Sequence, residues 1–160
     1  MTIKKTFTAL AIAMVIASLM AVAGTQFNAR GGGSTAPQLE GSWEVTVMPD
    51  GGAPVVDFAT FTSSGGIIST DPDPNVSTGL GTWVRTGGHE FAGTFVHFLS
   101  DQGVPIGTLK VRATGQLDKE GNTFSGPFRT DVIIGGNVVQ SYCGTVQARR
   151  ISVEPLEACP

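Results

Sequence analysis

Between residues 108 and 117 the sequence TLKVRATGQL alternates in character: Leu109, Val111, Ala113 and Leu117 are separated by Lys110, Arg112, Thr114 and Gln116. A period of two sends the first set to one face and the second to the other, as in a strand with one buried side. The same pattern recurs from about residue 42 onward. Glycine punctuates the chain at short intervals, β-branched and aromatic residues fill the gaps, and helical periodicity is nearly absent. This predicts an all-β fold with strands at about 42–48, 55–62, 66–70, 79–86, 89–99, 104–117, 122–133 and 138–150, joined as hairpins.

The turns assign registers. Gly87-Gly88 reads as a two-residue hairpin turn, which places Arg85 opposite Glu90. Asp101-Gln102-Gly103 reads as a three-residue loop, with Phe95 facing Leu109, Gly93 facing Val111 and Phe91 facing Ala113. Lys119-Glu120-Gly121-Asn122 brings Leu117 opposite Phe124 and Ala113 opposite Phe128. Gly135-Gly136-Asn137 brings Val132 opposite Gln140 and Thr130 opposite Tyr142. A meander of this length closes into an eight-stranded antiparallel up-and-down β-barrel, with a two-sheet β-sandwich as the alternative. Such an interior is either filled by side chains or holds one small ligand.

The inward face so defined is mostly apolar: Trp43, Val45, Val47, Phe91, Phe95, Leu109, Val111, Phe124, Phe128, Val132 and Val146. Gly93, Gly107, Gly115, Gly126 and Gly144 lie among them, which marks either barrel curvature or space for a ligand. Thr82, Thr130, Gln140 and Tyr142 share that face near mid-barrel. An apolar pocket with a few convergent polar groups is the usual small-molecule site. The candidate ligand-binding residues are therefore Tyr142, Gln140, Thr130, Thr82, Phe91, Phe95, Phe128 and Trp43. The alternative is a solid core in which Tyr142 and Gln140 satisfy one another.

His89 and His97 share a face but stand eight residues apart, roughly 26 Å along a strand, too far to share a metal. No catalytic or nucleotide-binding motif is present. Asp71-Pro72-Asp73-Pro74 has too few oxygen ligands for a calcium loop and reads as solvated. No cofactor and no metal are expected. If the barrel is catalytic, Tyr142 or His97 is expected to act as proton donor or acceptor.

The first residues indicate export. Lys4 and Lys5 precede an apolar run from Ala9 to Ala23, which is shorter than the roughly 20 residues of a spanning helix. Ala21-Val22-Ala23 suits a signal peptidase. Residues 1–23 are thus expected to be a signal peptide of bacterial character, 24–38 a flexible leader, 39–152 the barrel domain and 153–160 a tail. Loss of Lys4 and Lys5 takes the net charge from −3 to −5, which argues against nucleic acid and against an anionic membrane surface. The expected location is secreted or periplasmic, with no membrane span after cleavage. There Cys143 and Cys159 are expected to form a disulfide, closing a loop of about 16 residues worth about 3 kcal/mol.

Gly41-Ser42-Trp43 resembles the Gly-x-Trp motif that opens the first strand of lipocalins and their calycin relatives. The resemblance implies that Trp43 closes one end of the barrel and that an arginine of the last strand, Arg149 or Arg150, packs across it. The mid-chain lipocalin motif and the C-terminal helix are absent. Avidins share the barrel but line their site with several tryptophans, whereas this chain has only Trp83 besides Trp43. The barrel also resembles allene oxide cyclase and dirigent proteins, in which an apolar cavity folds a substrate. Three functions follow as expectations: a secreted barrel binding a small, largely apolar ligand; a cofactor-free cyclase or isomerase using the same cavity; and a structural or interaction module with a filled barrel.

Overall fold

The computed structural model describes residues 38–159. The expected signal peptide and all but the last residue of the leader lie outside the described residues. Eight strands follow one another: β1 (Gly41–Pro49), β2 (Val55–Phe61), β3 (Gly66–Ser69), β4 (Gly79–Arg85), β5 (Glu90–Asp101), β6 (Val104–Leu117), β7 (Thr123–Ile134) and β8 (Asn137–Arg150). Each pairs with its neighbours in chain order, and β8 returns to pair with β1, closing an antiparallel barrel. The all-β barrel read from the alternation is the fold observed.

One end is shut by aromatic rings. Trp43 is completely buried, and its indole Nε1 donates to the Leu39 carbonyl at 2.9 Å. Phe124 meets Trp43 edge-on at 4.8 Å. Phe61, Phe91 and Phe124 form a triangle of edge-to-face contacts with centroids 5.6, 6.0 and 5.2 Å apart. Such pairs each add about 0.5–1.5 kcal/mol beyond the area they bury. The last residue of β8 seals this plug. The Arg150 guanidinium lies over the Trp43 ring at 4.3 Å. It donates from Nη1 to the Glu40 carbonyl at 2.7 Å, from Nε to the Gly121 carbonyl at 2.8 Å, and from Nη2 to the Gln38 carbonyl.

Gly41 is glycine for two reasons. Its φ is +122°, and a Cβ there would fall 2.8 Å from Arg150 Nη1. Arg149, the other arginine considered for the Trp43 contact, points outward instead. It grips Glu44 with two bonds of 2.9 Å across the β1–β8 seam.

Two of the four hairpin registers are as read from the sequence: Leu117 faces Phe124 and Ala113 faces Phe128, while Val132 faces Gln140 and Thr130 faces Tyr142. The other two are corrected. Arg85 faces Phe91, not Glu90, because Thr86 N and Gly87 N both donate to the Glu90 carbonyl, so that Gly87-Gly88-His89 forms a three-residue connection. A slip of one residue turns a strand over. Trp83 consequently points inward, where it meets Phe61 at 6.2 Å, and Thr82 points out to solvent. In the next hairpin Phe95 faces Val111 and Phe91 faces Gly115. Gln102 and Gly103 make a two-residue turn, both with positive φ (47° and 79°), and a bulge at Leu99/Ser100 takes up the difference. That slip is of two residues, so the inner face survives. Gly115 has no side chain because the Phe91 ring fills its place.

The expected disulfide is not formed. Cys143 and Cys159 are both exposed free thiols. The tail leaves the barrel at the plugged end, where Ile151 N donates to the Ser42 carbonyl. Cys143 lies seven residues back up β8, roughly 23 Å away at strand rise, and residues 151–159 stay exposed without regular structure.

On the outer wall Asp131 is buried beneath two arginines. Arg112 bonds it at 2.6 Å, Arg129 at 2.9 Å and the Ser141 hydroxyl at 2.7 Å, linking β6, β7 and β8. No helix among the described residues is long and apolar enough to cross a membrane.

Arg150→Ala strips three carbonyls of their donor and uncovers Trp43. Urea unfolding is expected to show a loss of about 2–3 kcal/mol, together with red-shifted tryptophan emission. Arg150→Lys should recover only part of this, since an ammonium cannot span all three carbonyls. An unchanged midpoint in Arg150→Ala would mean that closure does not rest on this contact.

Candidate ligand-binding site

Above the plug the barrel is not filled. A cavity of about 150 Å³ lies between Val45, Val47, Ala59, Phe61, Ile67, Phe91, Phe95, Leu109, Val111, Ala113, Phe124, Phe128 and Val146, with Asp57, Ser69, Asp71, His97, Thr114 and Thr130 as its polar members. The floor is the upper face of the aromatic plug. The β6, β7, β8 and β1 walls are mainly aliphatic. Asp57, Ser69 and His97 gather on the opposite wall, from β2, β3 and β5, with Asp71 just past β3, whereas Thr130 stands on β7.

That polar arc is built strand by strand. In β2 the sequence VVDFATF puts Asp57 in phase with Ala59 and Phe61, whose side chains point inward. In β3 Ser69 is in phase with Ile67, and both are buried. Ala59 pairs with Ser69, and Ser69 pairs with Gly79 on β4. Gly79 is bare because the His97 imidazole lies over it; a Cβ there would sit 2.6 Å from Nε2. Asp57, Ser69 and His97 thus form one continuous wall, with a missing side chain making room for the ring.

The hydrogen bonds of the arc are well defined. Asp57 Oδ1 accepts from Phe58 N at 2.6 Å and from the Thr70 hydroxyl at 2.9 Å, and Oδ2 accepts from the Ser69 hydroxyl at 3.1 Å. His97, 3% exposed, lies 2.6 Å through Nδ1 from the Ser77 carbonyl. A carbonyl only accepts, so Nδ1 carries the hydrogen, the tautomer of an imidazole whose Nε2 bears the lone pair. The ring also packs edge-on against Phe95 at 5.4 Å.

Burial pushes the Asp57 carboxyl above its ordinary range, with the Asp71 charge acting in the same sense and the three hydrogen bonds opposing. Asp131 on the outer wall is the reverse case. Its bonds from Arg112, Ser141 and Arg129 hold it far below the usual carboxylate range.

Of the residues expected at the site, Phe91, Phe95, Phe128 and Thr130 line the cavity. Trp43 lies beneath it, in the plug. Thr82 is on the outer wall, for the register reason given above. Gln140 and Tyr142 keep inward phase on β8, but β1 ends at Pro49 opposite Gly144, so the stretch of β8 bearing them overhangs the rim without a partner on that side. Tyr142 is accordingly 44% exposed, whereas His97 is buried. His89 sits at the plugged end, with Nδ1 3.3 Å from the Asp118 carbonyl. Asp57 and Ser69 were not anticipated, although the alternation of VVDFATF and GIIS carries the signal.

The sequence matches no family model and no curated protein. Among solved structures the chain is similar to EF1p2_mFAP2b bound to DFHBI, with a TM-score of 0.56 and 18% identity over 74% of this chain and 98% of that one. The likeness is one of fold: an eight-stranded β-barrel.

The two carboxylates should respond oppositely to substitution. The raised Asp57 costs the folded state stability once ionised, a penalty absent below its unfolded value and felt as pH rises through its folded one. Asp57→Asn is therefore expected to melt higher than the parent at pH 7, the gain vanishing below about pH 4. Lowered Asp131 stabilises the fold above its unfolded value, so Asp131→Asn is expected to melt lower at pH 7, with the gap narrowing below about pH 4. Thermal melts of both variants across pH check this. A neutral-pH loss in Asp57→Asn would show that its hydrogen bonds outweigh the cost of burial.

Proposed function

We propose that this chain binds a small, largely apolar molecule inside the barrel. The observation that carries the reading is the cavity of about 150 Å³ above the aromatic floor. An apolar cavity of this size accepts a molecule of about one aromatic ring. Burial of that ring at roughly 25 cal/mol per Å² supplies the affinity, and Thr130, Ser69 and His97 orient what enters. The fold is compatible with such a role, since EF1p2_mFAP2b, a barrel of the same fold, is bound to DFHBI. Lys4, Lys5 and the apolar run to Ala23 support a setting outside the cytoplasm, so the protein is proposed as an exported carrier or scavenger. Gln140 and Tyr142, on the overhang of β8, are positioned to meet a ligand at the mouth.

The test is titration of the isotope-labelled barrel domain with benzene, followed by NMR. Saturable shifts confined to Phe91, Phe95, Val111, Ala113 and Phe128 are expected, with a Kd of about 0.1–1 mM. Ala113→Leu projects three further carbons into the same space and should abolish the shifts while leaving the thermal midpoint equal or higher. Absence of saturable shifts in the parent protein would reject the proposal.

A further inference from the structure

Resting on the binding proposal above, we infer that the ligand carries a hydrogen-bond donor, a hydroxyl or N–H on a small aromatic ring, which is received by His97 Nε2 and Asp57 Oδ2. The polar arc is short of donors. The Ser69 hydroxyl directs its hydrogen to Asp57 Oδ2 at 3.1 Å, and the Thr70 hydroxyl directs its own to Oδ1 at 2.9 Å. The Nδ1 hydrogen of His97 is held by the Ser77 carbonyl at 2.6 Å. What the arc offers inward is a set of acceptors.

His97 Nε2 is left without a bond from any described residue, on a side chain 97% withdrawn from solvent that lines the cavity. Nε2 opens on the cavity, where a donor on a bound ring can reach it. Asp57 Oδ2 takes a single donor and has capacity for another. A leucine in place of His97 would fit the aliphatic walls, and Gly79 has given up its own side chain so that the imidazole can lie there.

The arrangement reads a donor by exclusion. A ligand that presents only a carbonyl or ether oxygen would set acceptor against acceptor, and a pure hydrocarbon would leave Nε2 dry and unpaired. Sites built around buried polar groups reject analogues lacking the matching group for this reason. A ring with one hydroxyl or N–H satisfies the arc with its polar edge and the Phe91–Phe124–Phe128 floor with its face. Ser69 then acts as a positioning residue, holding the Asp57 carboxylate for the incoming donor.

Phenol and toluene, matched in shape and differing by hydroxyl against methyl, test this at pH 7 by calorimetric or NMR titration of the full domain. Phenol is the more water-loving of the two, so apolar burial alone favours toluene. The arc is expected to reverse that order, with phenol at least threefold tighter. In His97→Leu the order should return, phenol weakening about tenfold while toluene holds or improves. Ser69→Ala, which frees Asp57 Oδ2 without touching the histidine, should narrow the phenol preference and leave toluene unchanged. Toluene tighter than phenol in the parent protein would overturn the donor inference and leave the binding proposal standing. Binding of neither would reject both. The parent-protein comparison decides the matter even if His97→Leu does not fold.

Discussion

Arg150 holds together parts of the chain that are far apart in sequence. Its guanidinium covers Trp43 and takes the carbonyls of Gln38 and Glu40 before β1 and of Gly121 in the β6–β7 turn. A barrel exists only if its first and last strands meet, and here they are more than a hundred residues apart. The entropy of closing a loop that long is met partly by the β1–β8 ladder and partly by this contact. The outer clasp between Glu44 and Arg149 is solvent-screened and contributes less. Gly41 belongs to the same device, since any side chain there would displace the guanidinium.

The plug that Arg150 seals also determines where the cavity is. Trp43, Phe61, Phe91 and Phe124 occupy the lower barrel completely, and glycines such as Gly115 are filled by rings from neighbouring strands rather than by a vacancy. The cavity lies in the upper half, where small side chains such as Ala59 and Ala113 are among its lining. The polar arc of Asp57, Ser69 and His97 lies on one wall of that space. The site is therefore two-sided, apolar below and around, acceptor-rich along one edge.

The sequence made the fold legible because alternation and turn residues agree in most hairpins. The Lys119–Asn122 turn gave a register that holds residue for residue; past Gly135-Gly136 a bulge between Val132 and Ile133 offsets a turn one residue shorter than read, so Val132 still meets Gln140. Gly87-Gly88 misled because two glycines suit a tight turn equally well when the chain uses three residues, and a one-residue slip exchanged Thr82 for Trp83. The four aromatic and threonine positions on β5 and β7 were found by phase alone. Gln140 and Tyr142 had the right phase and the expected β7 partners, but their exposure depends on where β1 stops, which no local pattern encodes. Asp57 shares the phase of Ala59 and Phe61, which places it inside, against the rule that acidic residues stay in solvent.

The proposed occupancy of the upper barrel in the working protein is open to direct measurement. Native mass spectrometry of the protein purified from its own host, followed by denaturing release of whatever is bound, addresses it directly. The account expects a co-purifying molecule of about one ring, carrying a hydroxyl or N–H and lost from Ala113→Leu. A clean unliganded mass, joined to no uptake of single-ring compounds offered in solution, would contradict it and leave the barrel as a scaffold whose cavity is only a packing remainder.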